Sequence, residues 1–238
     1  MNVRLRQFYI YLFIVALALL LNGSGFAASA AADCPAPECV YLPLLSKPLP
    51  VRVFETEEHN SRWDTLLVTG EVVTTSDRPV YEVVVEVQVY DHAGHLLGSS
   101  RRATALTATL PGQLNPFDVT TNVDNNWLIA SYEAIPIHWS LESEQVYRPV
   151  TAVITDTEGT PSYGTWVYAE ARNDESQPLA DVYAVVWSLN QNDYSSMSPQ
   201  PIAACLVPGE TVAFTRFLYG AYSTFKVAAQ GVLSPCSP

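Results

Sequence analysis

Shifted by 99 residues, the chain lies over itself without a gap along two stretches. Pro50-Val51 falls on Pro149-Val150, and Val68 to Glu71 falls on Val167 to Glu170. Pro79-Val80-Tyr81-Glu82-Val83 falls on Pro178-Leu179-Ala180-Asp181-Val182. A two-residue deletion then brings Leu110-Pro111-Gly112-Gln113 onto Val207-Pro208-Gly209-Glu210, and Phe117 onto Phe214. Solenoid repeats have periods of roughly 20–50 residues, whereas about 100 residues is one β-sandwich. The repeat therefore predicts two similar domains, each long enough to bury its own core.

Each copy reads as β. Val83 to Tyr90 is β-branched and aromatic, with polar residues entering at alternate positions, and Val182 to Leu189 has the same character. Turn formers separate the runs: Thr75 to Pro79 in the first copy and Asn173 to Pro178 in the second. Asp91-His92-Ala93-Gly94 is a hairpin connection, and the two Pro-Gly pairs suit type II turns. Asn126 to Leu141 contains Ile135-Pro136-Ile137, which opposes a helix, so it is expected to close the first domain as a strand. About seven strands per copy, stacked as two sheets, are predicted. Trp187, inside such a strand, is expected to be packed, and Trp166 likewise.

Gly70-Glu71-Val72, Ser76-Asp77, the long strand from Val83 to Asp91, Gly94 to Leu97, and Leu110-Pro111-Gly112 to Phe117 form an ordered framework. This layout resembles the FxLYD-type domain of exported bacterial proteins, and more loosely other small Ig-like sandwiches. The second copy keeps Pro178, Val182 to Leu189, Val207-Pro208-Gly209 and Phe214, but has Ala169 in place of the glycine and lacks the Tyr-Asp strand end. The resemblance implies two tandem antiparallel Ig-like domains acting as extracellular modules. It carries over no functional residue.

The N-terminus reads as a leader. Arg4 and Arg6 precede an apolar run from Phe8 to Leu21, and Ala28-Ser29-Ala30 supplies small residues for cleavage. The run is short of the ~20 residues of a membrane span, so a membrane is reached only through an uncleaved signal anchor. Residues 33–50 hold five prolines and read as an extended spacer. The expected organisation is thus signal peptide 1–32, Pro-rich spacer 33–50, first sandwich 51–146 and second sandwich 147–238. Export permits disulfides. Cys34, Cys39, Cys205 and Cys236 allow three pairings, of which Cys34–Cys39 and Cys205–Cys236 are favoured. Four zinc-ligating cysteines would need closer pairing at both ends.

Formal net charge is −12, and loss of Arg4 and Arg6 with the leader makes it more negative. Such a chain repels phosphate backbones, so nucleic acid is not an expected partner. No Gly-x-Ser-x-Gly elbow, His-Glu-x-x-His motif or phosphate loop is present, so no catalytic residue, cofactor or metal is assigned. Asp91, His92 and His95 read as a polar hairpin tip rather than a metal site, and Asn122 to Asn126 as a loop rather than a calcium site. Trp63, Trp127, Trp139, Tyr219 and Tyr222 flank polar or loop residues and are candidate ligand contacts. The function expected is non-catalytic binding or scaffolding outside the cell or at its surface, through a protein or envelope partner. A glycan held on exposed aromatics is the alternative, and a hydrolase the third.

Overall fold

The runs of valine that dominate the sequence become strands that alternate between core and surface. A computed structural model describes residues 48–61, 64–124, 128–160, 163–188, 197–220 and 224–236. Its strands are β1 (Val51–Ser61), β2 (Thr65–Thr74), β3 (Val80–Asp91), β4 (Leu96–Ala103), β5 (Ala108–Thr109), β6 (Asn115–Asn122) and β7 (Ile129–Ser140). There follow β8 (Tyr147–Thr160), β9 (Gly164–Arg172), β10 (Leu179–Trp187), β11 (Gln200–Leu206), β12 (Thr211–Leu218) and β13 (Lys226–Leu233). The fold is all-β, and every pairing is antiparallel. The leader, the spacer up to Lys47, Cys34 and Cys39 lie outside the described residues.

In the first half β2 lies between β1 and β6, while β3 lies between β7 and the successive strands β4 and β5. In the second half β9 lies between β8 and β12, and β10 between β11 and β13. Among the described residues the first half has seven strands, the strand beside β3 being broken at Thr104–Thr107 into β4 and β5, and the second half has six. Asn115 holds that break. Its buried amide donates to Thr104 Oγ1 (3.0 Å), the Leu106 carbonyl (2.8 Å) and Thr109 Oγ1 (3.0 Å), and its oxygen accepts from the Leu106 amide (2.9 Å).

Two backbone irregularities occur at matched positions. Glu82 in β3 (φ 53°) and Asp181 in β10 (φ 47°) are both left-handed, and register shifts in both strands accompany them. A left-handed non-glycine residue costs about 1–2 kcal/mol, so each needs a fold that enforces it. Gly112 and Gly209 share φ 76°, closing Leu110-to-Gln113 and Val207-to-Glu210 turns with 3.0 Å amide–carbonyl bonds. Positive φ after proline is type II geometry, as expected from the Pro-Gly pairs.

Each half has its own core. Val68, Val72, Val83, Val85, Val87, Val89, Phe117 and Val119 fill the first, and Val167, Ala169, Leu179, Val182, Ala184, Val186, Leu206 and Phe214 the second. Each fully buried Val or Leu side chain contributes about 1.5–3 kcal/mol. The Cys205–Cys236 disulfide, with a Cα–Cα distance of 5.6 Å, ties β11 to the segment after β13.

Residues Lys47–Pro238 form one compact unit, because a third apolar cluster joins the halves. Leu106, with Ala105 and Leu114 beside it, meets Val185, Trp187, Met197 and Ala228 there. Trp187 is packed as expected, but in this seam rather than in its own half's core. Its indole donates to Glu71 Oε1 at 2.8 Å, and Lys226 Nζ lies 2.7 Å from that oxygen and 3.1 Å from Glu55 Oε2. Burial pulls the Lys226 pKa down, but hydrogen bonds to Glu71 and Glu55 outweigh it and hold the pKa above the ordinary lysine value. Gln113 adds a hydrogen bond to the Ala229 carbonyl at 2.9 Å. Tyr147 to Val150, at the start of β8, pair with β13, and from Thr151 onward β8 pairs with β9.

Candidate binding face

The outward side of the β8-β9-β12 layer departs from an ordinary solvated sheet. Along β9, Val167, Ala169 and Ala171 are buried, so Trp166, Tyr168, Glu170 and Arg172 point the other way. Register places Glu158 and Phe217 on either side of Trp166, and Asp156 and Thr215 on either side of Tyr168. Trp166 is 46% exposed, and Tyr219, just beyond the end of β12, is 74% exposed. Trp166 is therefore not packed as the sequence suggested. It shares a face with Glu170 and Arg172, and no strand lies over it among the described residues.

Phe217 is the centre of the aromatic group. Its ring centroid is 5.0 Å from that of Trp166, tilted by 56°, and 4.9 Å from that of Tyr219, edge-on at 90°. Gly164 makes room for it: a Cβ there would lie 2.6 Å from Phe217 Cζ and 2.5 Å from the Leu218 carbonyl. The rings thus form an angled wall, not a flat platform. Pairs of this geometry contribute about 0.5–1.5 kcal/mol beyond area burial.

The surroundings are acidic. Asp156, Glu158 and Glu170 are exposed on the same face. The Tyr168 hydroxyl donates to Glu158 Oε2 at 3.1 Å. That hydrogen bond, with desolvation and the nearby carboxylate charges, raises the Tyr168 pKa above the usual phenol value. Arg172 is the cation of this face, and its Nε is 2.9 Å from Asp174 Oδ1.

Of the two expected aromatic contacts that lie among the described residues, Tyr219 stands on this face and Trp139 does not. Trp139, in β7, packs against the first core. Trp63, Trp127 and Tyr222 lie outside the described residues. Trp166, Tyr168 and Phe217 were missed; for Trp166 and Tyr168 the period-two alternation with Val167, Ala169 and Ala171 in β9 carries the signal, whereas β12 gives no such clean alternation around Phe217. At the β3–β4 hairpin, Asp91 is committed to the turn. Oδ1 accepts from the amides of Ala93 and His95 (both 2.8 Å), and Oδ2 lies 3.1 Å from His95 Nδ1. These contacts, the His95 amide first, lower its pKa. Among the described residues no group of three acidic, His or Cys side chains is placed to hold a metal ion. Nor is any helix there long and apolar enough to cross a membrane.

No family model matches the chain, and no curated protein does. Among solved structures, red sea bream transglutaminase overlays 77% of this chain at 9% identity and a TM-score of 0.25. The chain spans 29% of that structure's length. A likeness this remote assigns neither fold nor activity.

Proposed function

We propose that the chain is an exported, non-catalytic binding module of two tandem Ig-like sandwich repeats that holds a protein partner on the outward face of β8-β9-β12. The observation that carries this reading is the exposure of Trp166 and Tyr219 around Phe217 on a sheet face that also exposes Asp156, Glu158 and Glu170. Aromatic side chains supply large contact area at small entropic cost, which is why they are enriched at interfaces. The duplication is supported by the shared strand pairing and by the matched φ values of Glu82 with Asp181 and Gly112 with Gly209. Export is supported by the leader-like N-terminus and by the Cys205–Cys236 bridge, since such bridges persist in oxidising compartments.

The glycan alternative rests on the same residues, but stacking against a sugar face favours coplanar rings, and these are tilted by 56° and 90°. The test is capture from surface extract split into protein and polysaccharide fractions, using wild type, Trp166→Ala and Tyr219→Ala. Saturable protein capture lost in both variants is the expected result. Glycan capture lost in both would replace this reading with the alternative. Capture that both variants retain would dismiss the face.

A further inference from the structure

Resting on that reading, we infer that the partner segment is basic, and that the face takes an arginine side chain against Trp166, Phe217 and Tyr219 with its guanidinium directed to Glu158 and Asp156. Charge complementarity decides the occupant. Three exposed carboxylates, Asp156, Glu158 and Glu170, share the face with the aromatic group, and the cation present, Arg172, is already held by Asp174. The whole chain adds to this field with a net charge of −12. An acidic partner would meet like charge, and a purely apolar one would strand the carboxylates without water or a counter-ion.

Ring geometry selects the same chemistry. A cation is attracted to the face of an aromatic ring, and Trp166 and Tyr219 leave ring surface exposed on either side of Phe217. Guanidinium adds to this a planar surface that stacks on indole and a fork of donors that matches a carboxylate, which an ammonium lacks. Glu158 sits directly across from Trp166 in register, so stacking and ion pairing are available to one side chain. The sheet face is open rather than a pocket, so a free small cation would gain too little contact, and a side chain borne on a polypeptide is required.

The test uses the full chain and soluble peptides of alternating Arg and Gly, with Lys-Gly, citrulline-Gly and Glu-Gly counterparts, measured by calorimetry. The Arg peptide is expected to bind, the Lys peptide about 3- to 10-fold more weakly, and the other two not at all. Affinity should fall several-fold as salt is raised, because exposed charges are screened. Trp166→Ala and Glu158→Gln, both surface changes that leave the cores intact, should each weaken the Arg peptide about 3- to 10-fold. Equal binding of Arg and citrulline peptides, or an Arg peptide that both variants bind as wild type does, overturns the inference. So does a silent Arg peptide. If protein capture is still lost in Trp166→Ala while the Arg peptide is silent, only the basic partner fails and the binding face stands. If capture is also unaffected, both fail.

Discussion

Phe217 depends on what is missing beside it. Gly164 combines φ 134° with a backbone that a methyl group would drive into Phe217 and the Leu218 carbonyl. Gly164→Ala is expected to cost about 1–3 kcal/mol and to displace the ring, read by urea unfolding and by loss of the partner together. Trp187 is the corresponding residue of the seam. Trp187→Phe retains most of the apolar volume but removes the indole donor from the buried Glu71, and should cost about 1–3 kcal/mol in the same assay. Tyr168 offers a spectroscopic handle on the candidate face. Its phenol should titrate above 10.0 by ultraviolet absorbance, and Glu158→Gln should bring it down toward that value. An unchanged titration would mean that Glu158 does not hold the hydroxyl.

At the level of elements, what could be read from sequence depended on whether a strand has one buried face or two. β3 sets Glu86 and Gln88 between the core valines Val85, Val87 and Val89, and that alternation announced its place. β10 ends in Ala184-Val185-Val186-Trp187, all buried, because Ala184 and Val186 enter the core while Val185 and Trp187 enter the seam. An unbroken apolar run of this kind marks a doubly buried strand but does not say what covers its second face. The seam was therefore invisible, and with it the roles of Glu71, Lys226 and Leu106. The left-handed residues Glu82 and Asp181 were also unreadable, since Glu has no preference for that backbone and Asp, which tolerates it, is too common elsewhere to mark it. The Pro-Gly turns were readable because their chemistry is local. The bridge between β11 and the C-terminal segment closes a loop with a sequence separation of 31. Replacing Cys205 and Cys236 together by Ser should lower stability by about 2–4 kcal/mol, and non-reducing mass mapping of wild type should recover the two as one linked peptide.

On the scale of the whole molecule, the seam decides whether the halves unfold together. An apolar cluster flanked by the Trp187–Glu71–Lys226–Glu55 chain couples them. One cooperative transition is expected from wild type by calorimetry, and two from Trp187→Ala, which opens the cluster. The Lys226 contribution has a defined pH window. Its folded pKa lies above the ordinary 10.5, so the stability it adds is complete below about pH 10.5 and is lost as pH rises through the folded value. The stability gap between wild type and Lys226→Met should therefore be constant near neutrality and close in strong alkali. A gap that persisted there would assign the contribution to packing of the lysine stem.

The passage of β8 from β13 to β9 gives the molecule a mechanical character. Six residues, 141–146, join Ser140 at the end of β7 to Tyr147, and the Val146 carbonyl is already bonded to the Leu233 amide at 2.7 Å. The joint can lengthen by no more than these six residues before the pairing of β8 with β13 is loaded. Past that short reach, a pull along the chain would peel Tyr147 to Val150 from β13 while loading the seam, so further extension should need a distinct rupture rather than the continued lengthening of a linker.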